Sequence, residues 1–299
     1  MKPGILVISH GSREAGWVQL VDDAVKTAAA LLESRFTIGV SETVQPAAAG
    51  SRSSAGDGTE LPEGAPVPVV SAFLEIVEGR LIQDGIDQLE AEGVTELYVL
   101  PLFVSSGSTH VDDIGQAFGL PPVTGEREGE LARFRVAADM RVHVGQPIDD
   151  DPDIAELLLS NIRELSAEPE REMLLLIAHG SREAVFHERW RRGMKRLAER
   201  MKTLGGFARA DIAMLLPNQA ACKLGALQKK RQDKEVIVVP LFLSSGYFTQ
   251  TVIPKRLEGF TYRYNGRAML PHPIVARWMV KQIRRWLDRL GAHRLGTSG

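Results

Sequence analysis

The chain has 299 residues, enough for two ordinary domains, each with its own core. With 44% hydrophobic and 25% charged residues it has the make-up of a soluble globular protein, and a formal net charge of -2 excludes the broad basic field of a nucleic-acid binder. The single cysteine, Cys222, excludes a disulfide framework and a cysteine-built zinc site, and the opening apolar run is too short for a signal segment or a membrane span, which makes the cytoplasm the expected compartment.

In chain order, ILVISH at 5–10 is an apolar, β-branched run between Gly4 and Gly11 and predicts a buried parallel strand. Trp17, Leu20, Val21, Ala24, Val25, Ala28 and Leu31 then recur at helical spacing. PVPVVSAFLE predicts a second strand, LIQDGIDQLEAEG a helix closed by Gly93, and ELYVLPLF a third strand running into Ser105-Ser106-Gly107. A helix over VDDIGQAFGL, a strand over FRVAADMRVHVG and a helix over PDIAELLLSNIRELS complete the first half.

The second half repeats the order. LLLIAHGSR at 174–182 restates ILVISHGSR at 5–13, and VVPLFLSSG at 238–246 restates VLPLFVSSG at 99–107. Helices are expected over HERWRRGMKRLAERMK, CKLGALQKKRQ, a segment from about Val252 and IVARWMVKQIRRWLDRL, with strands over MLLLIAH, ADIAMLLP and EVIVVPLF. Alternating β and α units predict two tandem doubly wound α/β domains with mainly parallel sheets, related by internal duplication, over 1–167 and 168–299. Residues 43–66, rich in Ala, Gly, Ser and Pro, have no counterpart in the second half and are expected to form a flexible surface insertion.

Ligands of open parallel sheets bind beyond the carboxyl ends of the strands. His10, Glu75 and His110 stand at three such ends of the first half. Two imidazoles and a carboxylate suit Co²⁺, Fe²⁺, Ni²⁺ or Zn²⁺. In the second half His179 aligns with His10, but Thr249 aligns with His110 and no acid matches Glu75. One working site in the first half and a degenerate second half follow, with a structural reading for His179 and a mild effect of replacing it. Ser12, Arg13, Ser105, Ser106 and Gly107 are candidate substrate contacts, because hydroxyls, a guanidinium and N–H donors at helix starts favour anions. Asp112 and Asp113 either cap a helix or hold the imidazole of His110, and His143 and His272 read as structural.

The set of HGSR after an N-terminal strand, Phe-Leu-Glu after the second, and Pro-Leu-Phe with a following Gly and His after the third, repeated along the chain, resembles the sirohydrochlorin chelatases in their long two-half form. The resemblance implies insertion of cobalt or ferrous iron, as substrate, into the tetrapyrrole sirohydrochlorin, without an organic cofactor. It carries the family's metal-site residues onto His10, Glu75 and His110, with His10 or His110 also taking pyrrole protons. The chain's partner would be the small-molecule tetrapyrrole, with no nucleic acid and no membrane, and the pseudo-symmetry of the halves predicts a monomer with a cleft between them. A carrier without catalysis is the main alternative. A phosphohydrolase is the lesser one, since Ser9 and Ala178 stand where its nucleophilic histidine is usually preceded by arginine.

Overall fold

The computed structural model describes residues 1–13, 15–39, 66–125, 127–230 and 235–296. Four parallel strands form the first sheet: β1 (Pro3–Ser9), β2 (Val69–Phe73), β3 (Glu96–Pro101) and β4 (Arg141–Val144), in the order β2-β1-β3-β4. Three parallel strands form the second: β5 (Glu172–Gly180), β6 (Arg209–Leu216) and β7 (Glu235–Pro240), in the order β6-β5-β7. The helices are α1 (Ala15–Gly39), α2 (Ile82–Ala91), α3 (Thr109–Ala117), α4 (Pro152–Ile162), α5 (Ala184–Gly205), α6 (Ala220–Lys230), α7 (Ile253–Arg256) and α8 (Pro273–Gly296). Two parallel-sheet α/β units follow one another, as the duplicated phrases predict. The insertion expected over 43–66 falls, but for Pro66, outside the described residues.

β1 and β5 are the central strands. Apolar residues over most of β1 and β5 bury both faces of each, as a strand covered on both sides by helices must. Three apolar clusters result. Ile8, Ile86, Leu89, Val99 and Ile114 fill the outer side of the first sheet, and Leu175, Leu215, Leu224, Val238 and Ile253 that of the second. The largest cluster lies between the sheets and draws on both halves, joining Trp17, Val21, Val25 and Tyr98 to Trp278, Ile283 and Trp286, and Leu158 and Ile162 to Trp190, Leu197 and Met201. The separate cores expected from chain length are therefore fused through a shared middle layer.

The helices of that layer change sides. α4, the last helix of the first half, packs on α5 and β7 of the second, while α8, the last of the second half, packs on α1 and β3 of the first. Tyr98 of β3 and Trp286 of α8 stack with centroids 5.0 Å apart. Asp151 caps α4 by accepting from the Asp153 N–H, Pro152 occupies its first turn, and Lys281 of α8 donates to Asp151 at 2.6 Å.

The expected long strand over FRVAADMRVHVG shrinks to Arg141–Val144. The backbone before it is committed elsewhere: the Phe134 N–H donates to the Ala117 carbonyl and the Ala137 N–H to the Glu90 carboxylate. In the second half the corresponding strand is reduced to one bridge between Ile237 and Arg263.

Candidate active site between the two halves

The strand orders decide where a site can form. In each sheet the chain goes to one side of the first strand and then returns to the other, so the switch points lie between β1 and β3 and between β5 and β7. A cavity of about 630 Å³ lies where the two switch points meet. His10 and His110 line it from the first half, His179 from the second, and Trp17, Phe103, Trp190, Phe242 and Phe248 supply aromatic wall.

His10 follows β1 directly. Its carbonyl accepts from the Trp17 indole N–H at 2.7 Å, which ties the turn to α1. Its ring stands edge-on to Phe103 at 4.6 Å and to His110 at 4.8 Å between centroids. Burial, then the nearby His110 and His179, push its pKa down from 6.5 to about 4. At neutral pH the ring is uncharged, so its nitrogen lone pair is open to a cation.

His110 sits in the first turn of α3, its side chain 38% exposed. Its Nδ1 is 3.6 Å from the buried Asp113 carboxylate. Asp113 and Asp112 each accept from the Arg127 guanidinium at 2.8 Å, and Asp112 also accepts from the Val123 N–H and the Gln116 amide. Arg127 is only 13% exposed and lies 3.7 Å from Glu183 of the second half. Neither acid caps α3, whose N-cap is Ser108; both anchor the segment after the helix, and Asp113 also lies beside the imidazole.

The Glu75 side chain does not join these histidines on the cavity wall. It is exposed, it is absent from the cavity wall, and among the described residues no three His, Cys, Asp or Glu side chains are arranged to hold one ion. The reason is strand order: β2 lies on the far side of β1 from the switch point. What meets the β1 turn is the Glu75 backbone, whose carbonyl approaches Gly11 so closely that a Cβ there would lie 1.7 Å from it.

The anion candidates divide in the same way. Ser12 and Gly107 line the cavity, whereas Arg13 is exposed outside it. The Ser105 hydroxyl accepts from the Gly107 N–H, and the Ser106 N–H and hydroxyl both donate to Asp149, so both serines serve the loop. Burial pushes the Asp149 carboxyl up, against the bonds from Ser106 and Ser105. Arg182 is the arginine on the cavity wall. It occupies the position in the repeated HGSR that Arg13 holds in the first copy, and that repeat was the signal for it.

Among the other histidines, His143 bonds to Glu96 at 2.7 Å and His272 accepts from the Ile274 N–H at the start of α8, the structural roles their isolation predicts. Thr249 is fully buried, its hydroxyl bonded to the Gly246 backbone, so the residue opposite His110 in the repeat closes a loop.

The CbiX family model matches residues 58–165 and again 173–285, more than half of the chain. The chain belongs to the CbiX family. In this CbiX chain His10 precedes the first matched segment, while His110 and His179 fall within the two copies. Among solved structures, SirB from Bacillus subtilis with Fe³⁺ is similar at a TM-score of 0.64 and 19% identity, covering 95% of each chain. SirB from Bacillus subtilis subspecies spizizenii in complex with cobalt is similar at 0.58 and 18%, over 95% of this chain and 94% of that one. CbiX described as the terminal enzyme for siroheme biosynthesis in denitrifying bacteria gives 0.55 and 16%, over 94% and 98%. These likenesses show a shared fold over nearly the full length. A search of curated proteins returns no match.

Proposed function

We propose that this chain is a chelatase that inserts a divalent metal, Co²⁺ or Fe²⁺, into sirohydrochlorin. The observation that carries the reading is the pair of imidazoles, His10 and His110, 4.8 Å apart at the sheet switch point of a CbiX-family chain. Membership of that family and the chelatase fold neighbours, one with iron and one in complex with cobalt, support the substrates.

Metal insertion has a definite physical problem. A hydrated cation must lose water while the macrocycle's inner nitrogens lose protons. Few protein ligands and open coordination positions hold the ion firmly enough to strip it and loosely enough to release it. Two imidazoles meet that need, and His10 is kept neutral by its burial. The aromatic walls suit the flat faces of a macrocycle, and Arg182 with the backbone N–H groups at the loop mouths suits its carboxylates. One chain supplies both walls, so the reading is that of a monomer, working in the cytoplasm. No helix among the described residues is long and apolar enough to cross a membrane.

The test is an anaerobic insertion assay with purified protein, sirohydrochlorin, and Co²⁺ or Fe²⁺ in parallel. Turnover with substoichiometric protein is expected, and His10→Ala or His110→Ala should each lower the rate by roughly 100-fold or more with an unchanged circular dichroism spectrum. Binding of sirohydrochlorin without accelerated insertion would make the protein a carrier. Imidazole nitrogens accept both metals, so the comparison of rates decides between them.

A further inference from the structure

We propose that His179, contributed by the second half, is a catalytic residue of the same site: the acceptor of the pyrrole proton. The inference rests on the chelatase reading. It departs from the structural role that the alignment of the two halves predicts for this residue.

Three observations carry it. First, His179 lines the same cavity as His10 and His110 but projects from the end of β5, in the other sheet. It is near enough for its charge to disfavour protonation of His10. Second, its Nδ1 is 3.1 Å from the Gly180 carbonyl oxygen. A carbonyl only accepts, so in the neutral ring the hydrogen sits on Nδ1 and the lone pair on Nε2. The hydrogen bond of this ring is made at Nδ1. Third, Phe248 holds the ring edge-on at 5.2 Å, and Phe248 itself stacks on Phe242 at 5.7 Å. The second half has replaced the equivalent of His110 by a buried Thr249, yet keeps this ring oriented at the cavity.

A flat macrocycle lying between the halves turns one face to His10 and His110 and the other to His179. The metal then approaches from the first half while the proton leaves toward the second. Each pyrrole N–H bond that breaks leaves its electron pair on nitrogen, where it forms the bond to the metal. The proton forms an N–H bond at His179 Nε2 and passes to water before the second N–H breaks. Two protons are released per divalent ion inserted, and no oxidant or reductant is needed.

The experiment compares wild type with His179→Ala and His179→Gln in the insertion assay, with cobalt affinity of the protein alone measured by titration. The expected result is a kcat lower by roughly 100-fold, with the KM for sirohydrochlorin and the cobalt affinity within about threefold of wild type. Free imidazole should restore part of the His179→Ala rate. A wild-type kcat in either variant would overturn the inference. So would a loss matched by an equal loss of cobalt affinity, which would make the ring a metal ligand. Wild-type protein that inserts no metal would instead overturn the chelatase reading.

Discussion

The His10 side chain shows how a position in the fold sets a charge state. The unfolded chain protonates this ring near 6.5, while the folded site resists protonation down to about 4. The folded pKa is the lower one, so the unfolded state binds more protons in that window and stability falls as pH drops. The loss begins near 6.5 and is complete below about 4, where it amounts to roughly 3 kcal/mol for a shift of this size. Two measurements check this. An NMR titration should place the His10 midpoint far below 6.5, and His10→Ala should flatten the stability profile between the two values. A midpoint at 6.5 or above would refute the buried, neutral ring. At this scale the repeated phrases made His10 and His110 legible. They leave His179 illegible, because each repeat describes its own half and the cavity is built from both. Glu75 could not be located by its motif, since its distance from the histidines depends on which side of β1 its strand joins.

Among the elements, the paired Ser-Ser-Gly loops show that equal sequence need not mean equal duty. In the first half Gly107 lies against α5, and a Cβ there would lie 2.5 Å from the Trp190 ring and 2.6 Å from the Phe186 carbonyl oxygen. In the second half Gly246 has nothing within 4 Å of that position. Gly107→Ala should therefore cost about 1–3 kcal/mol, because backbone must shift, and Gly246→Ala should be nearly neutral. Chemical denaturation of the two variants measures the difference, and equal effects would contradict the close contact. The Gly107 change should also slow insertion, since its loop leads directly into α3 and His110. The strands and most helices were legible from apolar runs and helical spacing. The shortening of β4 was not, because Phe134 and Ala137 pattern like strand residues while their N–H groups serve α3 and α2.

Over the whole molecule, the exchange of α4 and α8 makes the halves interdependent. Removing either half strips the other of a covering helix and exposes apolar side chains such as Trp17 and Tyr98, or Leu197 and Met201. Each large side chain so exposed forfeits about 1.5–3 kcal/mol. Fragments 1–167 and 168–299 expressed alone should fail to show a cooperative transition. The intact chain should unfold in one step, with far-UV and near-UV circular dichroism coincident. Two separated transitions, or a stable single half, would show that the shared layer contributes little.

By itself the sequence determined which stretches are buried strands, that the α/β pattern runs through twice, and that His10 and His110 of the first half follow such strands. These are local matters, set by side-chain periodicity and by the turn residues beside each run. The tertiary structure alone decided that Glu75 stays off the cavity wall, that His179 lines the same cavity as the first-half pair, and that each half is covered by the other's last helix. Strand order and helix exchange depend on which apolar faces bury one another across the whole chain, and residues next to each other in sequence carry no record of that choice.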